Sequence, residues 1–271
     1  MSFPQASKRN YALITGASQG IGEAMARKLA AAGYNLILVA RREEVLTRIA
    51  DELAGTHGVD AEVFAADLSK ARDVDALIEH IARREIAICV NSAGIASFGP
   101  FMDQDWEYET NQFNLNATAV FRITKAVLDQ MVPRGSGALC NVGSAAGNSP
   151  IPNNATYVFT KAGVNTFTES LHYELKPTGV HCTLLAPGPV REAEIPEEEQ
   201  SFIDRLVPDA LWTTYQSCAA DTLRAMRRNK RRVVPGPLSK AMDVVSTYAP
   251  RGSLAPLLGS FYAKMGEEQH G

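Results

Sequence analysis

Short, nearly unbroken apolar runs alternate along this chain with longer stretches whose apolar residues recur at helical spacing. Residues 11–15, 35–40, 61–65, 86–90, 138–142 and 180–185 read as strands, and a shorter one follows at 232–234. Between them, 21–32, 43–54, 71–84, 106–132, 155–175 and 210–228 read as helical, the stretch 106–132 as one or two helices. Gly33 stands just past the first of these helices, where a stop is expected. The strands are apolar throughout rather than alternating, as a parallel sheet covered on both faces requires. Strand–helix alternation of this kind predicts a doubly wound α/β fold with right-handed crossovers. The expected sheet is seven-stranded and parallel, in the order 3-2-1-4-5-6-7.

No repeat, low-complexity tract or linker splits the chain. Its 271 residues, 45% of them hydrophobic, suit one large α/β domain. We expect a catalytic domain over residues 1–240, including a substrate loop at about 190–215. The tail 241–271 is expected to pack on that domain or on another subunit. Against 30 acidic residues stand 27 basic ones, a net charge of −3, which argues against nucleic acid as a partner. The four cysteines, Cys89, Cys140, Cys182 and Cys218, form no C-x-x-C pair and read as buried thiols of a cytoplasmic protein. No signal-peptide pattern opens the chain, and no apolar run approaches the roughly 20 residues that span a bilayer.

The first strand leads into Thr15-Gly-Ala-Ser-Gln-Gly-Ile-Gly22, which opens the first helix. The free N–H groups and partial positive charge of a helix start suit a pyrophosphate. Gly16 allows the turn, Gly20 lets backbone approach the phosphates and Gly22 lets the helix pack on the sheet. Ser18, Gln19 and Ile21 complete the candidate phosphate site. Where an NAD enzyme carries a carboxylate for the ribose 2′-hydroxyl, at the end of the second strand, this chain has Ala40-Arg41-Arg42. That favours NADP(H), with Arg41 on the 2′-phosphate, over NAD(H).

Tyr157 and Lys161 stand one turn apart on the long helix and share a face. An ammonium beside a phenol is expected to lower its pKa and fit it for general acid–base work. Ser144 follows the fifth strand, at the carboxyl edge where open α/β sheets bind ligands, and can hydrogen-bond a carbonyl there. Asn91-Ser-Ala93-Gly94 follows the fourth strand at the same edge.

Together these segments resemble the short-chain dehydrogenase/reductase family over roughly residues 9–235. The resemblance is carried by the glycine turn, Asn-x-Ala-Gly, Ser144 ahead of Tyr-x-x-x-Lys, and Pro187-Gly188. It implies a Rossmann-like fold and a hydride transfer between NADP(H) and a carbonyl or alcohol, with Tyr157 as acid/base. It also implies that Lys161 binds the nicotinamide ribose, that Asp67 and Leu68 meet the adenine side, and that Asn91 supports the cleft. Pro187, Gly188 and Val190 should border the nicotinamide. A further catalytic asparagine is implied among Asn111, Asn114 and Asn116. The run after Asn116 fits the family best, and Asn114 is second choice. The threonine many relatives carry after Pro-Gly is missing from this chain, where Arg191-Glu192 stands instead. Homodimers or homotetramers are the family's habit. A longer, epimerase-like architecture is disfavoured by the short remaining chain.

Two rival functions stay open: an NAD-dependent alcohol dehydrogenase, and a non-catalytic NADPH-binding sensor. Residues 192–200 read equally as an active-site lid or as an acidic helix start. The basic run Arg224–Arg232 reads as a helix C-terminus, where cations offset the dipole, ahead of an anionic surface site. The tail reads as a pocket cover, a subunit contact or, less favoured, a peripheral membrane contact. The five histidines show no metal spacing. Phe98, Phe101, Ile151, Phe202 and Trp212 hint at an apolar substrate as readily as they suit a core.

Overall fold

In a computed structural model, residues 2–192 and 212–248 are described, together with the isolated positions 252, 255, 256 and 259. The elements are β1 (Asn10–Thr15), α1 (Gly20–Ala31), β2 (Asn35–Ala40), α2 (Glu43–His57), β3 (Ala61–Ala65), α3 (Ala71–Ile81) and β4 (Glu85–Asn91). After them come α4 (Trp106–Phe113), a π-helical turn (Asn114–Ala119), α5 (Val120–Arg134), β5 (Gly137–Val142), α6 (Ala155–Glu174) and β6 (Val180–Leu185). Then follow β7 (Val190–Arg191), β8 (Thr213–Thr214), α7 (Tyr215–Arg227), β9 (Arg232–Val233) and α8 (Pro237–Tyr248).

The main sheet has seven strands in the order β3-β2-β1-β4-β5-β6-β9, every pair parallel. This is the expected Rossmann-like, doubly wound topology. The last strand is ninth among the described residues because a second, two-stranded sheet of β7 and β8 intervenes. Each of these is two residues long, too short to leave a periodic signal.

Alternation along the strands divides the core in two. Ala12 and Ile14 pack with Met25 and Leu29 of α1, Leu46 and Ile49 of α2, and Met226 of α7. Leu13, Ile37 and Val39 point the other way, onto Leu77 and Ile81 of α3 and Ile123, Val127 and Met131 of α5. Both faces of the central strands are sealed from water, which is why those strands read as continuous apolar runs, while the edge strand β3 is only partly buried. All four cysteines are buried and unbridged. Burial pushes the Cys89, Cys140, Cys182 and Cys218 thiols up, away from thiolate chemistry. No helix among the described residues is long and apolar enough to cross a membrane.

The sequence places one or two helices over 106–132. The structure has two, joined by the π-helical turn, whose wider winding carries Asn116 fully buried. The proposed boundary at residue 240 falls inside α8.

Candidate active site

β1 and β4 are neighbours, while the chain between them runs outward through β2 and β3. A crevice therefore opens at their carboxyl ends, the topological switch point. Thr15 ties its two walls together: its Oγ1 accepts from the Ser92 and Ala93 N–H groups, both at 3.1 Å. Gly16 is left-handed (φ 68°), and a Cβ there would lie 2.8 Å from the Ala93 nitrogen. A Cβ on Gly22 would lie 2.2 Å from the Gly16 carbonyl oxygen, so α1 can begin against the turn only with glycine there.

A cleft of about 630 Å³ runs from this turn across the strand ends. Of the residues singled out from the sequence, Gly16, Ser18, Gln19, Gly20, Ile21, Arg41, Asp67, Leu68, Ala93 and Gly94 line it. Ser144, Tyr157, Lys161, Pro187, Gly188 and Val190 line it as well. Gly22, Asn91 and Asn116 do not. Gly22 packs beneath the turn. The Asn91 Nδ2 donates to Asn141 Oδ1 at 2.8 Å and to Thr124 Oγ1 at 3.2 Å, binding β4 to β5 and α5 behind the cleft.

The cleft can accept a dinucleotide. Gln19, the N-cap of α1, makes no side-chain cap, so the first N–H groups of the helix are left for an anion. Arg42, which sequence reasoning passed over in favour of Arg41, also lines the cleft. Its Nη2 donates to the Ser18 carbonyl (3.1 Å), Ser18 Oγ (3.0 Å) and Gln19 Oε1 (2.6 Å). It braces the turn; Arg41 lines the cleft beside it, and both side chains are exposed. The sequence shows the doublet but not the direction of either side chain. Tyr215 and Leu115 were missed altogether. Tyr215 opens α7, with its ring 3.5 Å from the space a Gly20 Cβ would fill.

At the far end stand Ser144, Tyr157 and Lys161. Lys161 is 5% exposed, and its Nζ donates to the Val142 carbonyl at 2.9 Å. The same Nζ is 5.6 Å from the Tyr157 ring centroid. Burial lowers the Lys161 pKa to about 8. Burial raises the Tyr157 phenol above its ordinary value, and a hydrogen bond with Ser144 pulls the other way. The depressed Tyr157 pKa expected from the neighbouring ammonium is thus not found. Desolvation dominates, and the opposing influence is the Ser144 hydroxyl rather than the lysine.

Ser144 is extended (φ −165°, ψ 150°) and caps a short 3₁₀ turn, Ala145–Asn148, its Oγ accepting from the Ala146 N–H at 3.1 Å. Asn165 of α6 grips its backbone, accepting from the Ser144 N–H (3.2 Å) and donating to its carbonyl (2.8 Å). Asn116 holds the loop after β4: Oδ1 accepts from the Ile95 N–H at 3.0 Å, and Nδ2 donates to the Ile95 carbonyl at 2.8 Å. Its Oδ1 and the Lys161 Nζ lie 3.2 and 3.4 Å from the space that a Gly94 Cβ would fill. Asn111 instead takes a hydrogen bond from Lys70 at 3.1 Å.

The family model described as short chain dehydrogenase matches residues 10–202, most of the chain. The chain belongs to the short-chain dehydrogenase/reductase family. It is 33% identical to the very-long-chain 3-oxoacyl-CoA reductase of Anas platyrhynchos over 218 residues, 79% of this chain and 68% of that one. To sulfoacetaldehyde reductase 2 of Chromohalobacter salexigens it is 39% identical over 180 residues, 65% of this chain and 71% of the relative. Among solved structures, a short-chain dehydrogenase from Sphingobium yanoikuyae in complex with NADPH superposes with a TM-score of 0.75 at 31% identity, covering 90% of this chain and 94% of that one. This family of oxidoreductases places a nicotinamide nucleotide on a Rossmann-like sheet, as the cleft of this chain allows.

Other sequence expectations fall elsewhere. Phe98, Phe101, Ile151 and Trp212 do not line the cleft, and Phe202 lies outside the described residues. Trp212 instead takes the Arg191 guanidinium 4.8 Å from its ring centroid. Of the acidic stretch 192–200 only the exposed Glu192 is described. Within the basic run, Arg224 pairs with Asp221, Arg231 with Glu169, and Arg232 with Asp243.

Proposed function

We propose that the protein is an NADP(H)-dependent carbonyl reductase. One observation carries the reading: Ser144, Tyr157 and Lys161 meet at one end of a cleft whose other end carries Arg41 and Arg42. Bound NADPH supplies the hydride. The protein's residues do the rest. Ser144 Oγ hydrogen-bonds the substrate carbonyl oxygen and steadies the charge that grows there. Tyr157 gives its phenolic proton to the same oxygen. A phenol whose ionisation is pushed up by burial keeps its proton at neutral pH, which suits a donor in the reductive direction. Lys161, with its ammonium held by Val142, orients the nicotinamide ribose, and the Ser144 hydroxyl stabilises the phenolate left behind. Asn116 and Lys161 both stand next to Gly94, and the pair is assigned, by the family resemblance, to the return of a proton from water.

Arg41 is the residue assigned to the 2′-phosphate, for it lines the cleft directly after β2, which ends in no carboxylate, while Arg42 is engaged with Ser18 and Gln19. The two reductases among the relatives act, by their names, on an aldehyde and on a 3-oxoacyl thioester. Both are carbonyl compounds, and the proposed substrate is of that class. The test follows loss of reduced-nicotinamide absorbance with purified protein. The panel is trifluoroacetophenone, aliphatic aldehydes and β-ketoacyl thioesters, each with NADPH and with NADH. Turnover with NADPH ahead of NADH is expected. Binding without turnover across the panel would leave the sensor reading standing.

A further inference from the structure

The 3₁₀ turn that begins at Ser144 is gripped at both ends. At its front, Asn165 holds the Ser144 backbone. At its rear, Asn148 is locked by charged groups from outside the catalytic helix. The Asn148 Oδ1 accepts from Arg232 Nη2 at 3.1 Å, and its Nδ2 donates to Asp243 Oδ1 at 2.8 Å and to Ser246 Oγ at 3.2 Å. Arg232 also pairs directly with Asp243, and lies 3.7 Å from Glu169 of α6. Ser149 Oγ adds a bond to the Ser246 carbonyl.

This is not a solvated surface pair. The side chains of Arg232, Asp243 and Glu169 are only 16%, 19% and 23% exposed, and the Arg232 Nε is buried with no partner. Opposite charges fix both ends of the Asn148 amide, so its orientation has one solution. The two grips also meet, since Asn165 Nδ2 lies 3.5 Å from Asn148 Oδ1. A continuous polar chain thus runs from α8 and β9 through Asn148 to the backbone of Ser144.

We propose that Arg232 and Asp243, acting through Asn148, set the position of the Ser144 hydroxyl, which makes Asp243 a positioning residue supplied by the C-terminal helix. The inference rests on the role of Ser144 in the proposed reduction. Neither residue lines the cleft, and the turn is the route along which hydrogen bonds connect them to Ser144. In physical terms, the turn offers a carbonyl oxygen a donor at one place only. Loosening its rear lets the donor wander, and small misplacements of a reacting group are costly.

The test is a double-mutant cycle on Ser144 and Asp243, with trifluoroacetophenone and NADPH, run in single-turnover mode with excess enzyme so that residual rates register. Asp243→Ala breaks the network, and the near-isosteric Asp243→Asn serves where the alanine variant does not fold. Either should lower the rate about ten-fold or more. NADPH affinity, read from cofactor fluorescence, should stay within about two-fold, because the network does not touch that end of the cleft. In a Ser144→Ala background the Asp243 substitution should cost nothing further. An equal loss in both backgrounds, or no loss in either, overturns the proposal while leaving the reductase reading intact. Full activity of Ser144→Ala, or no turnover by the unsubstituted protein, removes the reading beneath and this proposal with it.

Discussion

The Lys161 ammonium donates a hydrogen bond to the Val142 carbonyl at 2.9 Å from a position that is 5% exposed. A nearly dry cation with one protein acceptor is held at a cost, since desolvation disfavours its charge. Its pKa, about 8 against an ordinary 10.5, records that cost. Lys161→Met should therefore abolish turnover yet stabilise the fold, by roughly 1–3 kcal/mol at neutral pH. The sign with pH follows. The folded pKa lies below the unfolded one, so the penalty is complete below about pH 8 and fades as pH rises toward 10.5. The Tm advantage of Lys161→Met should be full at pH 7 and shrink across that window. A lower Tm at pH 7 for a folded variant would refute it.

The two arginines after β2 should separate cleanly. Arg41 lines the cleft, and Arg42 is engaged with Ser18 and Gln19. Arg41→Ala should weaken NADPH binding about ten- to a hundred-fold, the worth of one charge-assisted contact, and leave NADH nearly unchanged. Arg42→Ala should weaken both nucleotides, because it slackens the turn they share. Titration calorimetry with the two cofactors distinguishes the cases. An Arg41→Ala variant whose cofactor binding barely changes would point to the NAD reading.

Asn116 answers for the Ile95 N–H and the Ile95 carbonyl at once. Asn116→Ala strands both, and should lower stability by roughly 1–3 kcal/mol in urea melts. Its effect on turnover should exceed what the population of folded protein explains. Unchanged stability would mean that solvent replaces these bonds without cost.

Much of the fold is legible in the amino-acid pattern. The runs around Leu13, Ile37 and Val90 are apolar because both faces of each strand are covered, and their alternation with helices points to the parallel sheet. Gly16, Gly20 and Gly22 could be placed because their spacing sits between a strand and a helix. What depends on side-chain direction was hidden: Arg42 turning back onto Ser18, Tyr215 reaching Gly20 from a distant helix, Asn91 facing away from the cleft. The pair β7 and β8 is too brief to carry a pattern. Spacing set Lys161 beside Tyr157 and suggested a depressed phenol, but only the folded environment shows desolvation raising it.

The most direct measurement is single-turnover reduction by Tyr157→Phe, beside a titration of its NADPH binding. Loss of one hydroxyl should cut the rate by about a hundred-fold or more while cofactor affinity stays near that of the unsubstituted protein. A Tyr157→Phe enzyme that reduces carbonyls at the normal rate would contradict the assignment of the proton donor, and with it the proposed mechanism.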